Sequence, residues 1–279
     1  MKTMEAPKLK VPPGACDCHM HVYEDRFTVI AQATFKPPHA PPEDYLAMRG
    51  VLGLERVVVI QPSGYGFDNT CTLEAMAAFG AGTRGIAIVP EDVPDAALDE
   101  LFGAGIRGAR FFMLPGGIVP WRALEPLAAR MAARGGHINL QLDGRDLPQY
   151  EERLAKLPCD LVIDHNGKFL EPVATDHPGF ATLLRLLDTG RCWVKLSAPY
   201  ETSRVGPPKY GDVGALARAF ARANPDRCLW ASNWPHPNQK VIPSSAGLLD
   251  LLLEWADDDV ARRKILADNP ARLYGFEGS

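Results

Sequence analysis

Eight short apolar runs, each followed by a stretch of helical periodicity, constrain this chain more than any other feature. The runs are ACDCHMHV (15–22), RVVVIQ (56–61), GIAIV (85–89), GARFFM (108–113), HINLQL (137–142), DLVIDH (160–165), CWVKLS (192–197) and CLWAS (228–232). They are rich in β-branched residues and lack strict alternation, as strands buried on both faces do. Between them lie segments such as DAALDELFGAG, WRALEPLAARMAARG, FATLLRLLDTG and VGALARAFARANP, with apolar residues at helical spacing and Gly or basic residues near several ends. Strand–helix alternation makes parallel neighbours through right-handed crossovers. Eight such units in 279 residues fit a closed α/β barrel, a (β/α)8 TIM barrel. An open doubly wound sheet is the alternative, but no GxGxxG follows a strand. No repeat or linker divides the chain, so one domain is expected over 1–279, with 1–13 as an N-terminal extension. The Pro-rich stretch FKPPHAPPEDY (35–45) reads as a loop at the barrel rim.

A net charge of −4 with a pI near 6.0 gives no general attraction to nucleic acid or anionic lipid. An anionic ligand would therefore need a local cluster of Arg and Lys. No apolar stretch is long enough for a membrane span, and the N-terminus has no apolar signal core. The six cysteines are too sparse for a disulfide framework. The expectation is a cytoplasmic enzyme with a small-molecule partner, no nucleic acid and no membrane, with room left for a homo-oligomer.

In such a barrel the chemistry belongs at the C-terminal ends of the strands. The unusual polar residues fall there. Run one ends in His19-Met20-His21, a spacing that suits a shared metal or a paired acid/base role. Run two is followed by Ser63 and Tyr65, and run four carries Arg110, a cation in an apolar strand that calls for an anionic partner. Run six ends in Asp164-His165 and continues to Lys168. Run seven carries Lys195, and its loop holds Tyr200, Glu201 and Arg204. Run eight ends in Ser232-Asn233-Trp234-Pro235-His236-Pro237-Asn238. His137 lies at the opposite, stability-bearing face, His177 is read as solvated, and His39 as exposed in the rim loop. No GxSxG elbow, phosphate-binding loop or HExxH motif is present.

CDCHMHV, IQPSGYGFDNTCTLEAM, RGARFFM, VIDHNGKF, WVKLSAPYETSR, ASNWPHPN and NPARLYGF together resemble the amidohydrolase superfamily, specifically its lactonase group, from about Pro12 to Phe276. The resemblance implies a barrel of amidohydrolase type acting on a carboxylated lactone, with His19, His21, His165 and Asn233 as catalytic residues. It implies substrate contacts from Ser63, Arg110 and Arg204, and Tyr65, Gln141, Lys195, His236 and Asn238 are further candidate substrate contacts from their places at the strand ends. Lactone-hydrolysing members carry an Asp where this chain has Asn233, and an amide cannot take a proton from water. Metal-binding members place a His where this chain has Gln141. No metal is therefore favoured, with zinc or manganese on His19, His21 and His165 as the alternative. The NWPH element, Gln141, Pro115-Gly116-Gly117 and the YETSR loop also resemble the galactarolactone-isomerising branch, although its position equivalent to His19 is not reliably histidine. Hydrolysis of the ring ester by histidine acid/base chemistry is the leading expectation. Lactone isomerisation is the second, and metal-dependent hydrolysis or decarboxylation of another carboxylated ring the third.

Overall fold

The computed structural model describes residues 5–276. Its centre is one eight-stranded parallel sheet in the order β1 to β8: Cys16–Met20, Arg56–Ile60, Thr83–Ala87, Ile106–Phe112, His137–Gln141, Asp160–Ile163, Cys192–Leu196 and Cys228–Trp230. The seam between β8 and β1 is closed beyond Trp230, where His21 N–H donates to the Trp234 carbonyl at 2.8 Å and Asn233 N–H to the His19 carbonyl at 2.8 Å. The expected (β/α)8 barrel is therefore the fold. Strands three and four each begin two residues before the apolar runs read from sequence. Thr83 and Ile106 already take part in the ladder, which apolar composition alone does not register.

Seven helices follow the first seven strands: α1 Pro42–Leu52, α2 Thr70–Phe79, α3 Asp95–Gly103, α4 Leu124–Ala132, α5 Leu147–Ala155, α6 Pro178–Asp188 and α7 Gly211–Ala223. Each turns a buried face to the strands, such as Leu124, Leu127, Ala128 and Met131 of α4. His177 is the N-cap of α6 rather than a solvated residue, its Nδ1 accepting from Gly179 N–H at 3.0 Å. After β8 the chain forms two short helices, α8 Ser245–Asp250 and α9 Leu252–Trp255. Two more, α10 Asp259–Arg263 and α11 Asn269–Tyr274, flank a π turn at Lys264–Asp268.

An irregularity in β1 decides which side chains face inward. Asp17 pairs with Val57 and Met20 with Val59, so Cys18 and His19 together oppose Val58. Cys16 and Cys18 lie in the barrel floor with Val58, Val162, Trp193 and Tyr274, while Met20 packs in the layer between strands and helices. The extra residue reverses the strand's alternation, so that His19 and His21 point inward above the cysteines. Buried Asp17 secures this stretch. Its Oδ1 accepts from the N–H groups of His19 and Ser232, and its Oδ2 from the Ser232 hydroxyl at 2.5 Å and from Tyr45 of α1 at 3.2 Å.

Candidate active site

At the C-terminal end of the barrel lies a cavity of about 130 Å³. His21, Arg110, Gln141, His165 and Asn233 line it, with Ser63 and Asn238 at its edge. Lys168 and Glu201 contribute the remaining charge, and Tyr23, Phe35 and Phe112 the aromatic surface. Two left-handed turns present the polar groups. His165, Asn166 and Lys168 have φ of 52°, 56° and 48°, and Asn233, His236 and Asn238 have φ of 55°, 63° and 65°. Non-glycine residues held in this region are costly and gather where a site needs a fixed side chain. Gly167 between them sits at φ 87°, and a Cβ on facing Gly144 would come within 2.4 Å of the Gly167 carbonyl oxygen. That close approach lets the loops after β5 and β6 stack, with Gly144 N–H donating to the Lys168 carbonyl.

Directly beneath the cavity is a buried, charge-balanced layer. Lys195 Nζ lies 3.1 Å from Asp164 Oδ1 and donates to Asn139 Oδ1 at 2.6 Å, while Asn139 Nδ2 donates to Asp164 Oδ2 at 2.9 Å. Burial alone would raise the Asp164 carboxyl, but Lys195 and the neighbouring imidazoles hold it well below its usual range. Lys195 is itself lowered by burial. The same ammonium lies 3.2 Å from His19 Nδ1, and His19 Nε2 lies 3.1 Å from His21 Nε2. His21 Nδ1 is 2.8 Å from the Ile60 carbonyl, which can only accept.

These contacts set the tautomers. His21 carries its proton on Nδ1 and accepts at Nε2 from His19, whose Nδ1 then accepts from Lys195. Burial keeps both rings neutral, His21 being pushed down to about 3 and His19 well below its ordinary value. His165 is likewise lowered by burial, with Asp164 opposing the shift. Its Nδ1 is 2.8 Å from Ser197 Oγ, which also lies 3.5 Å from the Lys195 carbonyl. In the tautomer in which Nδ1–H donates to Ser197, His165 Nε2 is the unprotonated nitrogen at the cavity wall.

Arg110 crosses from β4. Its Nη1 donates to the Gln61 carbonyl at 2.8 Å and its Nη2 to Gln141 Oε1 at 3.1 Å. Its buried Nε has no partner among the described residues. Across the cavity Lys168 forms an ion pair with Glu201. Asn233 Nδ2 donates to Glu201 Oε1 and to the Tyr200 hydroxyl, each at 3.0 Å.

The structure brings His21, His165, Asn233, Ser63, Arg110, Gln141 and Asn238 of the expected residues to the cavity wall. It places the other five elsewhere. His19 and Lys195 lie in the layer below, fully buried. The Tyr65 hydroxyl is occupied by the Glu24 backbone. His236 is bound between Tyr200 and Ser245, behind Asn233. Arg204 points outward, its side chain 71% exposed and paired with Glu171, because Asp212 grips Ser203 Oγ and the Arg204 N–H and turns the loop away. Residues not singled out as site residues are Lys168, Glu201 and Asn139. Asn139 had a signal, since it shares a strand face with Gln141. Glu201 had none beyond its place in the loop after β7.

His19, Asp164 and His165 offer one ligand atom each within 4.8 Å of one another. However, Lys195 Nζ sits within 3.2 Å of both the Asp164 carboxylate and His19 Nδ1, so an ammonium competes with any cation for two of these donors. His19 Nε2 is also committed to His21.

A closed parallel barrel with buried imidazoles and a carboxylate at its C-terminal rim has the layout of a barrel enzyme. A model of the family described as Amidohydrolase matches residues 16–276, and the chain belongs to that family. It is 35% identical to a D-galactarolactone isomerase of Agrobacterium fabrum over 274 residues, covering 96% of this chain and 94% of the relative. It is 34% identical to a 2-pyrone-4,6-dicarbaxylate hydrolase of Comamonas testosteroni, covering 96% and 92%. An apo crystal structure from Agrobacterium tumefaciens superposes with a TM-score of 0.92 at 35% identity, covering 98% of this chain and 100% of that one.

Proposed function

We propose that this protein opens the ring ester of a small carboxylated lactone by acid/base chemistry on neutral imidazole, without a metal. The observation that carries this reading is the combination, in one small cavity, of an unprotonated His165 nitrogen with the buried, incompletely bonded Arg110. Arg110 binds the substrate carboxylate, which supplies the charged acceptor its guanidinium lacks. His165 Nε2 takes a proton from the attacking hydroxyl as oxygen bonds to the carbonyl carbon. When the tetrahedral adduct collapses, the ring C–O bond breaks and the same nitrogen returns the proton to the departing oxygen. The transient imidazolium is stabilised by Asp164 behind it. His19 and His21 hold their protons in a fixed relay to Ile60 and position the wall.

With water as the attacking group the product is the open acid. A second reading, attack by a hydroxyl of the substrate itself to give a rearranged lactone, is favoured by one specific observation. Asn233 spends its amide protons on Tyr200 and Glu201, and as an amide it cannot serve as a base for water. The relatives' names include both outcomes. Zinc or manganese is the weaker reading, because Lys195 already engages two of the three candidate ligands, Asp164 and His19. Six free, buried cysteines suit a reducing compartment, so a cytoplasmic location belongs to the same proposal.

A proton NMR time course on sugar-diacid lactones and pyrone dicarboxylates, with purified protein of measured metal content, separates ring opening from ring migration. His165→Ala is expected to lower kcat by about 10²–10⁴-fold, and Asn233→Ala by much less. Comparable losses in the two variants would make the amide central and the assignment of His165 wrong. Activity that follows zinc or manganese content would overturn the metal-free reading.

A further inference from the structure

We propose that the cavity selects lactones with a single negative charge and hydroxyl groups at the end away from it, and that Glu201 is the residue that turns a second anionic group away. This rests on the lactone reading above and names the substrate class within it.

The fixed charges at the cavity wall leave a net of one positive charge. Among the described lining residues the imidazoles of His21 and His165 are neutral, for the reasons of burial already given. The Lys168 ammonium and the Glu201 carboxylate pair with each other and cancel. Beneath them Asp164 is compensated by Lys195. Arg110 alone remains without an anion. Both of its Nη atoms donate to neutral oxygens, and its Nε, buried, has no partner among the described residues. The cavity thus has one place for a carboxylate, on the β4 side.

The opposite wall has a different chemistry. Glu201 is held from two directions, by Lys168 and by the Asn233 amide, so its carboxylate stays at the cavity surface. A carboxylate fixed in this way accepts hydrogen bonds from hydroxyl groups and repels an anion. Asn238 and Ser63 add further hydroxyl-compatible groups at the rim. At about 130 Å³ the cavity is well below the roughly 300–1,000 Å³ usual for ligand pockets, so the far end of a small acid held by Arg110 lies close to Glu201. A pyrone dicarboxylate would place its second carboxylate against Glu201. An aldaric acid monolactone, whose other carboxyl is tied up in the ring ester, would place hydroxyls there.

The test uses two unreactive acids with the same carbon chain. D-galactonate and D-galactarate differ only in having an alcohol or a carboxylate at the far end. By calorimetry at pH 7 the wild-type protein is expected to bind galactonate at least about tenfold more tightly, as like charges brought together across a binding site require. Glu201→Gln frees Lys168 as a second anion site. It should tighten galactarate at least about tenfold relative to galactonate, narrowing or reversing the wild-type ratio. Lys168→Met, which leaves Glu201 uncompensated, should widen the wild-type preference, and it carries the test if Glu201→Gln does not fold. Wild-type protein that binds galactarate as tightly as galactonate, or that fails to bind galactonate, overturns the proposal. So does a ratio that neither variant moves. Lactone turnover is scored separately on the same samples. Turnover without charge discrimination sinks only the selectivity, and discrimination without turnover sinks only the reaction.

Discussion

At the scale of single residues, the unusual property of this site is that its cations are fixed and its imidazoles are not charged. Burial holds His21 at about 3 and lowers His19 and His165 well below their ordinary value, so no acid limb from the cavity imidazoles is expected near neutral pH. The titration that matters lies on the other side. Burial first, then the nearby Arg110, bring the Lys168 ammonium down to about 8, with Asp164 opposing. Below that value Lys168 is charged and balances Glu201. Above it the pair becomes a lone carboxylate, and the cavity loses its net positive charge. KM for an anionic lactone is therefore expected to climb severalfold between pH 7 and 9 while kcat changes little, and Lys168→Arg should move the rise to higher pH. A KM that stays flat to pH 9 in the wild-type protein would separate Lys168 from substrate binding.

At the scale of elements, β1 shows how a strand can carry a site. Alternation alone would put Asp17, His19 and His21 on one face and Cys16, Cys18 and Met20 on the other. The extra residue at Cys18–His19 puts both cysteines in the floor and both histidines in the layers above. Asp17 fastens this arrangement to the loop after β8 and to α1, and its removal would leave the Ser232 and Tyr45 donors buried without acceptors. Asp17→Ala is expected to cost about 3 kcal/mol in urea unfolding. Burial raises the folded-state carboxyl to about 6, above the 3.8 of the free group, despite four hydrogen bonds that oppose the shift. The stability Asp17 gains from this shift is fully present below the unfolded value and lost as pH rises through 6. The penalty of the substitution should thus be about 1 kcal/mol larger at pH 5 than at pH 7.5. A penalty that grows with pH would contradict the sign.

The same strand shows what sequence could and could not reveal. Where a cluster sits at the end of an apolar run, as with Asp164-His165, Arg110 or Asn233, its position follows from the barrel rule alone. Direction within a loop does not. Arg204 and Glu201 lie three residues apart in one loop, yet Asp212 turns the first outward while Lys168 and Asn233 draw the second in. Those partners come from the loop after β6, from α7 and from the loop after β8, and no local pattern announces them. Nor does apolar patterning disclose an inserted residue in β1, because cysteine and methionine are equally acceptable on either side of a barrel wall.

At the scale of the whole molecule, the barrel is three layers with different tasks. The floor is apolar, built from Trp193, Val162, Leu229 and the Tyr274 and Phe276 of the closing segment. The rim is the polar cavity. Between them, Lys195, Asp164 and Asn139 form a buried ionic layer that touches both, since Lys195 follows Trp193 on the same face of β7 and reaches up to His19. This layer is where stability and chemistry become inseparable. Lys195→Met leaves the Asp164 carboxylate buried and unpaired, which is expected to cost about 3–5 kcal/mol. The same change withdraws the donor that fixes the His19 tautomer. Adding Asp164→Asn removes the stranded charge, and the double variant should regain most of the lost stability. It should not regain turnover, because the carboxylate that stabilises the His165 imidazolium is gone as well. Urea unfolding and lactone turnover on the four proteins of this cycle make the comparison. Recovery of both together would mean that the layer serves packing alone. Recovery of stability without activity would show that the charge at the centre of the barrel is retained for the reaction rather than for the fold.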